Sequence, residues 1–176
     1  MIDLILTLIG PDRPGLVEAV AHVVAQRGGN WLESRMIHLG GQFAGILRVE
    51  VPAGQAEGLA HALEGLGSTG LRVVAERSPR GAEAPGARSR VMNIELVGLD
   101  RPGLVREISQ LLARQEINVE ELTSDRSSAP MSGEMLFRAN ARVQVPAHLD
   151  AAHLRASLER LASDLTVEIR LDEGAA

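Results

Sequence analysis

Leu8-Ile9-Gly10-Pro11-Asp12-Arg13-Pro14-Gly15-Leu16-Val17 returns, at an offset of 88 residues, as Leu96-Val97-Gly98-Leu99-Asp100-Arg101-Pro102-Gly103-Leu104-Val105. Self-similarity of this kind decides the architecture before secondary structure is read. Asn30 and Glu33 match Asn118 and Glu121 at the same offset, while Arg48-Val49-Glu50-Val51-Pro52 matches Arg142-Val143-Gln144-Val145-Pro146 at an offset of 94, so the second copy holds six extra residues between these blocks. Between the copies, Ser78–Ser89 is rich in Pro, Gly and Ala and lacks apolar periodicity, as a linker does. The predicted organisation is a first domain over 1–77, a linker over 78–89, a second domain over 90–172 and a tail over 173–176.

Both copies share one pattern of apolar spacing. Ile2, Leu4, Leu6 and Leu8 alternate as in a strand, and Val167, Ile169 and Leu171 alternate with Glu168, Arg170 and Asp172. After each Asp-Arg-Pro-Gly block, Leu16, Val20 and Val24, or Leu104, Ile108, Leu111 and Leu112, fall on one helical face. Asn30–Leu39 and Phe43–Val51 flank Gly40-Gly41 as a hairpin. Leu59, Leu63 and Leu66, and Leu154, Leu158 and Leu161, mark a second helix before a last strand. The order strand, helix, strand, strand, helix, strand, read twice, predicts an α+β chain of two ferredoxin-like βαββαβ domains. Each is an antiparallel four-stranded sheet with both helices on one face. The other face is left bare, and pairing of copies, edge to edge or face to face, is expected to cover part of it.

Composition removes several function classes. The 176 residues contain no cysteine, which excludes disulfides, thiolate catalysis and cysteine-ligated metals. All 18 basic residues are arginine and tyrosine is absent, so Schiff-base lysine and tyrosine acid–base chemistry are excluded too. With a net charge of −5 and the arginines scattered, direct nucleic-acid binding is not expected. The apolar start Met1–Ile9 carries Asp3, lacks a basic lead and stops at Gly10-Pro11, which reads as a strand of a cytoplasmic protein, not a membrane span. His148 and His153 are five apart, off the spacing of paired helical ligands, so no metal site is expected. Ser127, Ser128 and Ser132 lie in no nucleophile elbow, and Glu120-Glu121 reads as strand-surface charge. Trp31, at a strand start, reads as a core or an interface residue.

The repeated turn carries what chemistry there is. Asp12 and Asp100 are read as helix N-caps, with Pro14 and Pro102 in the first helical turn and Gly15 and Gly103 leaving backbone N–H groups bare. A helix start of this kind accepts an anion, the glycine lets a small carboxylate approach, and the aspartate offers a charge to an ammonium group. Together they suit an amino-acid zwitterion. A capped turn with no ligand has the same residues, and recurrence in both copies favours the functional reading.

The Asp-Arg-Pro-Gly-Leu-Val block, the Asn at the start of the second strand and the βαββαβ order resemble ACT domains. The resemblance implies an amino-acid site where two modules meet, carried by position onto Asp12, Arg13, Gly15, Leu16 and Asn30, and onto Asp100, Arg101, Gly103, Leu104 and Asn118. Many ACT sites hold a neutral amide where Asp12 and Asp100 stand, a departure of this chain. The tandem arrangement and the segment from Ser128 to Phe137 further resemble the glycine cleavage system transcriptional repressors. That likeness implies a non-enzymatic regulator without a cofactor, responding to glycine or a similar amino acid through a transcription regulator or other protein, with a homo-oligomer compatible with it. An ACT subunit acting in trans on a metabolic enzyme, or a ligand-free dimerisation module, fits the same residues.

Overall fold

The computed structural model describes residues 1–78, 89–129 and 133–173, and the chain divides into two compact units, Met1–Ala84 and Pro85–Ala176. The first runs β1 (Ile2–Pro11), α1 (Leu16–Gln26), β2 (Asn30–Leu39), β3 (Gln42–Val51), α2 (Ala56–Glu64) and β4 (Arg72–Arg77). The second repeats it as β5 (Ser89–Leu99), α3 (Leu104–Arg114), β6 (Asn118–Ser128), β7 (Met135–Pro146), α4 (Ala151–Leu165) and β8 (Val167–Glu173). The sheets are four-stranded and antiparallel, ordered β2-β3-β1-β4 and β6-β7-β5-β8. Ser78 N–H donates to Asp3 O at 3.0 Å, and Ser89 pairs with Pro146. Most of the expected linker, 79–88, lies outside the described residues, as do 174–176 of the tail and Ser132.

Alternation places Leu4, Leu6 and Leu8 of β1 and Leu47, Val49 and Val51 of β3 on the face that meets the helices. There they pack with Leu16, Val20 and Val24 of α1 and Leu59 and Leu63 of α2, the helical positions the 3.6-residue period selects. Each such leucine withdrawn from water contributes about 1.5–3 kcal/mol before entropy is counted. Trp31 packs against this core and its Nε1 reaches Ser34 Oγ at 3.4 Å. Leu66, expected in the second helix, instead lies in a 3-10 segment, Gly65–Thr69, because glycines at 65, 67 and 70 erode helical propensity after Glu64. In the second unit α4 continues to Leu165 and starts under a true cap, with Asp150 accepting from Ala152 N–H.

The Gly40-Gly41 hairpin has φ of 58° and 76°, the left-handed pair that a two-residue turn between twisted strands requires. In the second copy one extra row, Ser128 opposite Met135, and a longer connection hold the six additional residues. Gly133 closes that connection by donating its N–H to Ala129 O. The edge strands β2 and β6 carry a bulge at the same place, between Trp31 and Glu33 and between Val119 and Glu121. Glu120, the bulged residue, accepts from Arg142 and Gln144, so it is spoken for on the strand surface. The repeated Gly10 and Gly98 permit a close strand approach: a Cβ would stand 2.6 Å from Gly70 O in one copy and 2.3 Å from Val167 Cγ1 in the other.

Candidate functional site

Each first strand ends by joining the adjacent hairpin, Asp12 N–H donating to Gly41 O at 2.9 Å and Asp100 N–H to Met135 O at 2.8 Å. The chain then turns through Arg-Pro and reverses at a left-handed glycine, Gly15 at φ 91° and Gly103 at φ 97°. These glycines are the N-caps. Their carbonyls accept the first helical hydrogen bonds, from Ala19 N–H at 2.9 Å and Glu107 N–H at 3.0 Å. The expectation that Asp12 and Asp100 cap the helices is therefore corrected, and Pro14 and Pro102 lie in the turn ahead of the helix instead of in its first turn. The reason is the glycine's positive φ, which places the helix start three residues beyond the aspartate, with no side-chain cap at either helix.

The two aspartates face different partners in equivalent places. His38 stands opposite Phe43 in the first copy and Arg126 opposite Phe137 in the second. Asp12 Oδ2 lies 3.6 Å from His38 Nδ1, whereas Asp100 Oδ2 meets Arg126 Nη2 at 2.7 Å. The neighbouring arginines diverge as well. Arg101 makes a two-pronged pair with Glu107 of α3, at 3.2 and 3.4 Å. In the first copy alanine, Ala19, occupies that helical position, and Arg13 donates to the carbonyl of Thr69. Around Gly15 an added Cβ would meet no atom within 4 Å, while at Gly103 it would meet Glu107 Oε1 at 3.5 Å. The first turn thus has more room at its glycine, while in both turns the aspartate lies near a basic side chain, more closely in the second, and the arginine has an internal partner.

Among the remaining positions, Leu16 and Leu104 are buried in the cores, so only their backbone N–H groups can face a ligand. Asn30 and Asn118 are exposed at the first residues of β2 and β6, opposite Glu50 and Gln144. The hairpin end that holds Asp12 or Asp100 is the other end of the sheet, about 30 Å away along a ten-residue strand. Each module therefore gathers its Asp, Arg and Gly but not its Asn. An apolar cleft of about 40 Å³ between α3 and the β6–β7 pair, walled by Val105, Leu112, Val119, Leu122 and Phe137, has Ser109 as its one polar lining residue among the described residues, and Ser109 carries no charge to meet a zwitterion. Remote from the turns, Arg48 donates from Nε and Nη2 to Asp3 Oδ2, at 3.0 and 2.7 Å, and this hydrogen bonding and the carboxylate's charge raise its pKa further. Among the described residues, no group of three His, Asp or Glu is placed to hold a metal ion, and no helix is long and apolar enough to cross a membrane.

Comparison with known proteins extends the repeat to a family. The ACT domain family matches residues 3–73 and again residues 92–157. Over 166 residues the chain is 24% identical to the glycine cleavage system transcriptional repressor of Escherichia coli (strain K12), covering 94% of this chain and 86% of that protein. The protein of the same name from Shigella flexneri matches at the same identity and coverage. A crystal structure of a protein from Galdieria sulphuraria, described as unknown, superposes with a TM-score of 0.86 at 28% identity over 99% of both chains. With both copies matched where the sheets and helices repeat, the chain belongs to the ACT-domain family and carries two ACT domains in tandem.

Proposed function

We propose that the chain is a non-enzymatic regulatory protein that senses a free amino acid, glycine or one of similar size, and transmits its state to a protein partner, as a transcriptional regulator acting without direct DNA contact. The observation that carries the reading is the turn itself, built twice with a left-handed glycine, free space at Gly15 and an aspartate at the strand end. Backbone N–H groups at the start of α1 take the ligand's carboxylate, and Asp12 takes its ammonium. Asn30 or Asn118 completes a site only when supplied by another module, since each lies at the far end of its own sheet. The relatives named as transcriptional repressors, covered over 86% of their length, support the regulatory role. The net charge of −5 supports a protein partner over DNA.

Titration calorimetry with glycine tests the reading. Asp12→Asn is expected to keep the fold, because Asp12 is not the cap, and to weaken binding roughly ten- to a hundredfold through loss of a charge-assisted hydrogen bond of ~1.5–3 kcal/mol. Failure of glycine and the other natural amino acids to bind, or sequence-specific binding of duplex DNA by the purified protein alone, would overturn it.

A further inference from the structure

The helix side of the second domain holds a groove of about 460 Å³ between α3 and α4, within the size range of small-molecule sites. Because β5 runs opposite to β7, the helices that return from them also run opposite to each other. Glu107 and Asp164 therefore line one end and Arg114, Gln115 and Ser157 the other, over a floor of Leu111 and Leu161. Arg160 reaches toward the second end, its Nη2 donating to Ser157 Oγ at 3.4 Å. Glu107 is held by Arg101, which leaves Asp164 to give the first end its charge. Arg114 and Asp164 have no hydrogen bond or ion pair among the described residues. Two polar groups lie deeper: Ser157 is 5% exposed, and Gln115 Oε1 is enclosed without a donor among the described residues. The first domain lacks these charges. There α2 stops at Glu64, and Ala19, Gln26, Gly65 and Thr69 stand where Glu107, Arg114, Arg160 and Asp164 do.

We propose that this groove binds a zwitterion of dipeptide length, with its carboxylate at the arginine end and its ammonium at Asp164. Length selects the class. Seven helical positions separate Glu107 from Arg114 and Ser157 from Asp164, roughly 10 Å on a helix rise of 1.5 Å per residue. A free α-amino acid carries both charges on one carbon and cannot meet both ends. An extended dipeptide spans about 7 Å, and the side chains of Arg114, Arg160 and Asp164 cover the remainder. The chemistry agrees with the length. Guanidinium groups take a carboxylate in a two-pronged fashion, and an aspartate accepts from an ammonium. A peptide N–H between them supplies the donor that Gln115 Oε1 lacks, once that carboxamide turns toward the groove. Leu111 and Leu161 offer apolar contact to small side chains. This site is separate from the repeated turns, and its occupation does not depend on amino-acid binding there.

NMR titration of the isotope-labelled full chain with L-alanyl-L-alanine is the test. Millimolar dipeptide is expected to shift the amides of α3 and α4 along the groove and the Gln115 side-chain amide, with α1 and α2 unmoved. Arg114→Gln, which installs the first domain's residue, and Asp164→Asn are both at exposed positions and should each weaken binding roughly ten- to a hundredfold through loss of a charge-assisted hydrogen bond. N-acetyl-L-alanyl-L-alanine, which lacks the ammonium, should bind wild type and Asp164→Asn equally weakly. Circular dichroism checks that each variant folds, and Arg160→Gln replaces Arg114→Gln if the latter does not. Saturating glycine should leave the dipeptide shifts in place. Absence of shifts along the groove, an affinity untouched by the arginine variant or by Asp164→Asn, or an acetylated dipeptide that binds as well as its parent overturns the proposal. Displacement of the dipeptide by glycine overturns it as well, by placing the dipeptide at the turns.

Discussion

Gly15→Ala separates backbone need from ligand space. At φ 91° and ψ −1° an L residue pays about 1–2 kcal/mol for its Cβ, and no atom lies within 4 Å of that position, so the whole loss comes from the backbone. For a domain of this size about 1 kcal/mol lowers the melting temperature by roughly 4–8 °C. Asn tolerates the left-handed region, so Gly15→Asn should lose half of that or less. Trp31, the only tryptophan, packs on the first core, so its fluorescence follows unfolding of this domain during a urea or thermal titration. The ordering Gly, then Asn, then Ala is the expected outcome. An alanine variant as stable as wild type, or an asparagine variant as damaged as alanine, would refute the claim that the positive φ accounts for this glycine. Since the methyl group touches no protein atom, any loss of glycine binding by Gly15→Ala measured by calorimetry reports contact with the ligand itself.

Thr166, a β-branched residue held at φ 56° after α4, should gain about 1 kcal/mol on replacement by glycine, read as a raised calorimetric melting temperature; a fall would mean its side chain matters more than its backbone. Gly98→Ala drives a Cβ to 2.3 Å from Val167 Cγ1 and should cost about 1–3 kcal/mol in chemical denaturation, with Val167→Ala restoring part of it in the double variant. Arg126→His copies the first domain's arrangement into the second and frees Asp100 from its 2.7 Å ion pair; the glycine stoichiometry in calorimetry is expected to rise toward two per chain, and an unchanged value would show that this pair does not close the second turn. The same variant should lose at most about 1 kcal/mol of stability, because Arg126 is largely exposed and water screens the pair.

The repeated block, the apolar periods and the Gly-Gly hairpin determine two βαββαβ domains without any tertiary information, because strand and helix periods are local and each copy corroborates the other. Leu16, Val20 and Val24 are legible as core from spacing alone for the same reason. The turn was only half legible. An aspartate three residues before a glycine looks like a cap in the sequence, but the helix starts where the chain reverses, and a left-handed glycine sets that point through a backbone angle that composition does not encode. Local patterns are equally blind to who meets Asp12 and Asp100: His38 and Arg126 reach them through the pairing of β2 with β3 and of β6 with β7 across hairpins of different length. Pairing also carries Asn30 and Asn118 to the far end of their sheets, although sequence resemblance places them in the same site as the turn. Only the tertiary structure sets α3 and α4 side by side in opposite directions and so gives their groove a cationic and an anionic end, because helical period is local, whereas the strand order decides which helices are neighbours.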